Sequence, residues 1–256
     1  MVCSIVLSAL KARIENYMKA LDIESRLPHG ESSGCINEIK LRDLLQAYAE
    51  EFGLRSYQAM FPPVEIGSIT LVDQVVLISL LDMIRPRNIL EIGTFKGYTT
   101  RLLLENSDIQ SSLASVDLPR DATQGIAEKS LEGALKDGNY NDDFLRIRQR
   151  DDGEVYLKDL SAENLARLNL IKVDSTKIDY SDYFSSLEYA FIDGGHDYNT
   201  VKTDTEKVLD VLTEGVILWH DYSSGIHSDV TTYLQDICAD MNIYHVKGSL
   251  LAFTLR

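Results

Sequence analysis

The chain has 256 residues, 45% of them hydrophobic, with 40 acidic against 25 basic side chains and a formal net charge of −15. That length supports one large core with a small appended unit, and the negative field repels nucleic-acid phosphates and anionic lipid heads, excluding both as partners. The N-terminus has no basic region, the apolar stretch at residues 5–10 is too short for a signal sequence, and no later run reaches the ~20 apolar residues of a membrane span, so a cytoplasmic protein is expected.

Val6, Leu10, Ile14, Tyr17, Met18 and Leu21 share one stripe, predicting an amphipathic helix over residues 4–21. The stretch SRLPHGESSG breaks it. Ile39, Leu41, Leu44, Leu45, Tyr48 and Phe52 then set out a second helix that Gly53 would close. Two helices bury little alone, so residues 1–66 are expected as a cap or dimerisation segment through which the protein could form a homo-oligomer. Thr70 is the expected N-cap of a helix through LVDQVVLISLLDMI, which RPR ends.

From there strands and helices alternate. NILEI (88–92), SLASVDL, NLIKVDS, EYAFID and GVILWHD read as strands; GYTTRLLLEN and YNTVKTDTEKVLDVL read as helices. Such alternation predicts βαβ units, hence an α/β domain over residues 67–256 with a mostly parallel sheet covered on both faces. NIYHVK and LLAFTLR, flanking Gly248 and Ser249, predict a terminal antiparallel hairpin. Residues 118–168 form an insertion longer than a simple crossover needs, in which a helix and a charged loop are expected. Arg146, Arg148 and Arg150 alternate in it, which reads as a solvated strand or loop face, with a substrate-defining lid as the rival reading. Cys3, Cys35 and Cys238 are scattered and odd in number, fitting neither a disulfide framework nor a Cys-x-x-Cys site, so a reducing compartment is expected.

The chemistry gathers at strand ends. In ILEIGTFKGYTT a buried strand stops at Glu91-Ile92, Gly93 permits a tight turn, and Gly97 lets a helix start close by. Gly93-x-x-x-Gly97 is not the Gly-x-Gly-x-x-Gly that seats a pyrophosphate. Glu91 beside that turn suits a ligand bearing an amine or sulfonium and no phosphate. Asp117, closing the next strand, can accept both hydroxyls of a ribose, and Asp174-Ser175 can bond an adenine edge. Singly, each acid could equally be a helix cap; three in register at successive strand ends point to one ligand.

The set EIGTFKGYTT, SVDL, KVDS, FIDGGHDY and GVILWHDY resembles the class I S-adenosylmethionine-dependent methyltransferases, in the branch of small-molecule and sugar O-methyltransferases and cephalosporin-hydroxylase-like proteins. The resemblance covers residues 67–256. It implies a Rossmann-like, doubly wound, seven-stranded sheet whose last strand is antiparallel. It also implies that the loop 93–97 holds the methionine part of S-adenosylmethionine near Thr94, Tyr98 and Thr99, with Asp117 at the ribose and Asp174 and Ser175 at the adenine.

EYAFID and GVILWHD are joined by one helix, so they are expected as parallel neighbours. With strands about 4.8 Å apart, Asp193 on one tip and His220 or Asp221 on the other can reach a common divalent ion. Relatives hold Mg²⁺ with an acid from the fourth strand and an acidic pair after the fifth, some with a histidine three residues past the first acid; Asp193, Asp221 and His196 match. His220 departs from that pattern, and an imidazole suits Mn²⁺, Fe²⁺ or Zn²⁺ better than Mg²⁺. The alternative is that Asp193 only orients the cofactor's amine while His220 bonds to backbone. His196 would be the general base for a hydroxyl on a small-molecule acceptor. His29, His227 and His245 have no acid cluster in the sequence around them. The rival functions are a nicotinamide-dependent oxidoreductase, which the missing third glycine disfavours, a catalytically silent binding or assembly protein, and methylation at carbon or nitrogen.

Overall fold

The computed structural model describes residues 24, 25, 27, 34–53, 55–61, 66–123, 125–127 and 130–256. The helix expected over residues 4–21, with Cys3 and His29, lies outside them. Strand β1 (Asn37–Lys40) leads directly into helix α1 (Leu41–Phe52). Helix α2 (Leu71–Ile84) starts on Thr70 as expected: the Thr70 side chain accepts the Asp73 N–H at 3.2 Å, and Asp73 accepts the Thr70 N–H at 2.8 Å. This reciprocal pair satisfies two N–H groups that a helix start otherwise leaves unbonded. Being apolar nearly all round, α2 is buried, and Val76, Leu77 and Leu80 have no exposed surface; each such side chain contributes about 1.5–3 kcal/mol.

There follow β2 (Asn88–Ile92), α3 (Tyr98–Asn106), β3 (Ser112–Asp117), α4 (Gly138–Asp152), β4 (Leu168–Lys172), β5 (Leu187–Ile192), α5 (Tyr198–Val211), β6 (Leu212–Trp219), α6 (Ser228–Ile237), β7 (Tyr244–Lys247) and β8 (Ala252–Leu255), with one-turn helices between some of them. The strands make one Rossmann-like sheet in the order β1-β7-β8-β6-β5-β2-β3-β4. Only β8 runs against its neighbours β6 and β7. Alternate residues feed two cores. Ile89, Tyr189, Phe191, Val216 and Leu218 pack with α2 and α3; Leu90, Ile92, Ala190, Ile192 and Ile217 pack with α5 and α6.

The sheet has eight strands where seven were expected, and the extra one is β1, parallel to β7 from Asn37↔Tyr244 to Lys40↔Lys247. Its sequence, NEIK, has one large apolar side chain, too little alternation to separate it from the helix that follows. Residues 37–52 therefore belong to the sheet and its core, with Ile39, Leu44, Ala47 and Tyr48 in the same cluster as α2. The terminal hairpin has the four-residue connection 248–251 in place of a two-residue turn.

Two further expectations are corrected. The arginines at 146, 148 and 150 lie on helix α4, not on a strand or loop; Asp137 caps it by accepting the Tyr140 N–H at 2.8 Å. Cys35 and Cys238 form a disulfide, Cα atoms 5.6 Å apart, that ties the entry to β1 to the end of α6. Their separation of 203 residues hid the pairing, and cysteine usage no longer argues for a reducing compartment. Among the described residues no helix is long and apolar enough to cross a membrane.

Candidate active site

Strand register sets the site. Ile92 pairs with Val116 and Ile192, and Ile192 pairs with Trp219. The next residues, Gly93, Asp117, Asp193 and His220, therefore stand in one row just past the sheet. Backbone bonds carry the ladder one step further, from Gly93 N–H to Val116 O at 2.8 Å, Asp193 N–H to Ile92 O at 2.8 Å and His220 N–H to Ile192 O at 3.0 Å. β2 and β5 flank the point where the chain changes direction across the sheet, the place where open α/β sheets collect ligands. Their tips are so close that a Cβ on Gly93 would lie 1.9 Å from the Asp193 carbonyl oxygen, and the φ of +104° there is itself a glycine conformation.

A cavity of about 370 Å³ opens over this row. Gly93, Asp117, Asp174, Ser175, Asp193, His196, His220 and Asp221 all line it, so eight of the expected site residues converge on one hollow. Asp117 accepts the Phe95 N–H at 2.9 Å and the Leu118 N–H at 2.8 Å. Burial raises its pKa against the pull of Lys172, 3.6 Å away. Asp174 is held low by the Thr176 hydroxyl at 2.6 Å and by Lys177 at 2.9 Å, and Ser175 donates to Asp204 at 3.1 Å.

Glu91, Thr94, Gly97, Tyr98 and Thr99 do not line the cavity. Glu91 lies two residues below the tip and accepts bonds from Thr100 and Ser115, each at 2.5 Å. Burial, opposed by those two hydroxyls, pushes its pKa up to about 8, which favours the uncharged acid. Thr94 bonds Ser115 at 2.6 Å, and Tyr98 donates to Met60 O at 2.9 Å and accepts from Gln74 at 2.8 Å. A Cβ on Gly97 would meet Leu157 at 2.5 Å, so that glycine serves packing of α3.

Asp193, His220 and Asp221 come together as expected, with one possible ligand atom from each lying within 4.8 Å of the others. His220 Nδ1 is 3.2 Å from Asp193 Oδ1 and 3.3 Å from Asp221 Oδ2. His196 Nε2 is 3.1 Å from Asp221 Oδ2 and 3.6 Å from Asp193 Oδ1. Burial opposes charge on all four. At Asp193 and Asp221 the imidazoles outweigh it, chiefly His220 and then His196, and hold both carboxyls low. At His220 the carboxylates of Asp193 and Asp221 outweigh burial and raise the pKa well up; at His196 those of Asp142, Asp193 and Asp221 do the same. Asp221 sits at φ +60°, a left-handed conformation that aspartate tolerates better than most residues.

Four contributors escaped the sequence reading. Asp73, the capping acid of α2, has no exposed surface and stands 3.7 Å from His220 Nε2; the sequence marked Thr70 as a cap and gave Asp73 no role. Asp142 and Gln149, with Leu145 and Arg146, line the cavity from α4 at helical spacing. Gln149 donates to Asp117 and, at 3.3 Å, to Phe95 O. His227 stacks on His196 with ring centroids 3.9 Å apart, so it lies among the acids from which its sequence neighbours seemed to separate it. Burial, then the charge on His196, lowers its pKa.

Residues 90–222 match the family model described as a methyltransferase domain. The chain belongs to that methyltransferase-domain family. The matched span runs from within β2 to just past β6 and includes every cavity-lining tip named above. No curated protein matches the chain. Similar solved structures include an O-methyltransferase from Bacillus cereus in complex with SAH, at 16% identity over 84% of this chain and 90% of that one, TM-score 0.43. Another is the O-methyltransferase TomG from Streptomyces achromogenes, involved in tomaymycin synthesis and solved with SAM, at 13% identity over 93% and 95%, TM-score 0.45. A third is the SAH-bound methyltransferase PaMTH1 from Podospora anserina, at 14% identity over 84% and 86%, TM-score 0.47.

Proposed function

We propose that this methyltransferase domain transfers a methyl group from S-adenosylmethionine to a hydroxyl of a small-molecule acceptor. The observation that carries the reading is the single cavity over the β2 and β5 tips, where Asp117, Asp174 and Ser175 lie on one side and the Asp193, His196, His220 and Asp221 cluster on the other. The first three offer the acceptors a nucleoside needs: Asp117 for ribose hydroxyls, Asp174 and Ser175 for the adenine edge. When bound, S-adenosylmethionine would supply an electrophilic methyl on a sulfonium, whose S–C bond breaks as the O–C bond forms so that neutral S-adenosylhomocysteine leaves. The acceptor hydroxyl would lie at the cluster, give its proton to His196 Nε2 and direct its oxygen lone pair at the methyl carbon.

Asp193, His220 and Asp221 fit a divalent cation. With Nδ1 as ligand, the buried Nε2 of His220, which has no hydrogen-bond partner, would turn its proton toward Asp73, 3.7 Å away; a carboxylate behind a ligating imidazole is a common orienting device. One imidazole with two carboxylates suits Mn²⁺ or Fe²⁺ better than Mg²⁺. Such an ion, when bound, would lower the pKa of an acceptor oxygen. It would also supply the positive charge that protons on the two imidazoles otherwise provide, leaving His196 free to be neutral.

Calorimetry with S-adenosylhomocysteine tests the cofactor assignment, with saturable binding expected and lost in Asp117→Ala; no heat at about millimolar ligand, a floor near −4 kcal/mol, would sink it. A melting-temperature rise with Mn²⁺ that disappears in Asp221→Asn tests the cation.

A further inference from the structure

We propose that Asp142, on helix α4, is the positioning residue that holds the His196 ring with Nδ1 protonated and Nε2 turned to the cavity. This rests on the methyl-transfer reading above for its catalytic meaning and deepens it by naming what aims the base. Asp142 meets His196 twice: Oδ2 accepts the His196 backbone N–H at 3.3 Å, and Oδ1 lies 2.8 Å from Nδ1. A carboxylate can only accept there, so Nδ1 is the donor and, in the neutral ring, Nε2 carries the lone pair. Nε2 is buried with no hydrogen-bond partner and faces Asp221 at 3.1 Å and Asp193 at 3.6 Å. A proton acceptor aimed at an acceptor oxygen needs that tautomer.

The rest of the setting fixes the ring's plane. His227 stacks on one face, 27° from parallel. Helix α4 is itself anchored along the cavity: Asn141 donates to Ala134 O at 2.8 Å, and two turns beyond Asp142, Gln149 bonds Asp117 and Phe95 O. Both side chains of the pair are about nine-tenths buried, so water competes little for either. In this reading the inserted segment supplies a part of the base that the strand tips lack.

The test uses the full chain with ¹⁵N-labelled histidine, Asp142→Asn and turnover assays. In the neutral ring, wild-type His196 should show Nδ1–H, and Asp142→Asn, which keeps the shape of the side chain, should move the proton to Nε2 or mix the two forms. The variant should lose about 10²–10⁴-fold in kcat, the contribution of a positioned acid–base group, with KM for the methyl donor within about twofold because that ligand's groups are untouched. The proposal is overturned if wild-type His196 is an Nε2–H tautomer, or if Asp142→Asn leaves both ring spectrum and kcat unchanged. Taken at a pH high enough to neutralise a ring that three carboxylates hold toward its charged form, the wild-type spectrum decides this even if the variant fails to fold. A chain that binds no S-adenosylhomocysteine would sink the methyl-transfer reading, while the ring spectrum would still answer for Asp142.

Discussion

Two hydroxyls, those of Thr100 and Ser115, donate to one oxygen of Glu91, while the other oxygen is buried with no hydrogen-bond partner. The consequence is a pH dependence that a surface acid would lack. Below the ordinary glutamate value of 4.5 the carboxyl is protonated whether the chain is folded or not, and its contribution to stability is complete. Between there and about 8 the unfolded chain ionises it and the folded chain resists, so stability falls as pH rises and levels off above. The slope is at most about 1.4 kcal/mol per pH unit. Glu91→Gln should remove that slope and leave a pH-independent offset of about 1–3 kcal/mol from the amide group that has no partner. Urea unfolding of both proteins across about pH 5 to 8 reads it; equal slopes would show that Glu91 ionises freely in the fold. A glutamate at the end of an apolar strand looks, in sequence, like a ligand group. Only the pairing of β2 with β3, which sets Ser115 beside it, shows that it belongs to the core.

Among the elements, α4 departs furthest from expectation. Its cavity face, Asn141, Asp142, Leu145, Arg146 and Gln149, has the spacing of a helix stripe, but four of the five side chains are polar. A hydrophobic-period reading passes over such a stripe, and the alternating arginines beside it suggested a strand. The strand tips were legible for the opposite reason. Asp117, Asp193 and His220 each follow an apolar run, and parallel register alone brings the ends of such runs together. Gln149 gives α4 a measurable role. It donates to the Asp117 carboxylate, the acceptor proposed for ribose hydroxyls, so a nucleoside bound there would compete with Gln149 for the same oxygen. Gln149→Ala should therefore tighten S-adenosylhomocysteine binding by about 2–10-fold, the worth of one net hydrogen bond. Weaker binding in calorimetry would instead place Gln149 among the groups that hold the ligand.

At the scale of the molecule, 40 acids against 25 bases surround a cavity whose lining holds five aspartates and, among the described residues, one arginine and no lysine. The alternation of strands and helices announced the doubly wound sheet, because each segment carries an apolar run; β1, with a single large apolar side chain in NEIK, does not. Charge was legible from composition alone, and its functional meaning depends on the ligand's own charge. S-adenosylmethionine carries a sulfonium that S-adenosylhomocysteine lacks, so the two differ by one positive charge at nearly equal shape. A negative cavity within a negative field favours the sulfonium form, and salt weakens that preference as the Debye length shrinks from about 30 Å at 0.01 M to about 3 Å at 1 M. The ratio of the two dissociation constants, measured by calorimetry across that range, should move by a few-fold toward S-adenosylhomocysteine as salt rises. His196 and His220, which the facing carboxylates drive toward their protonated forms, oppose the trend locally. A ratio indifferent to salt would mean that this cluster, rather than the surrounding field, sets the potential at the sulfur.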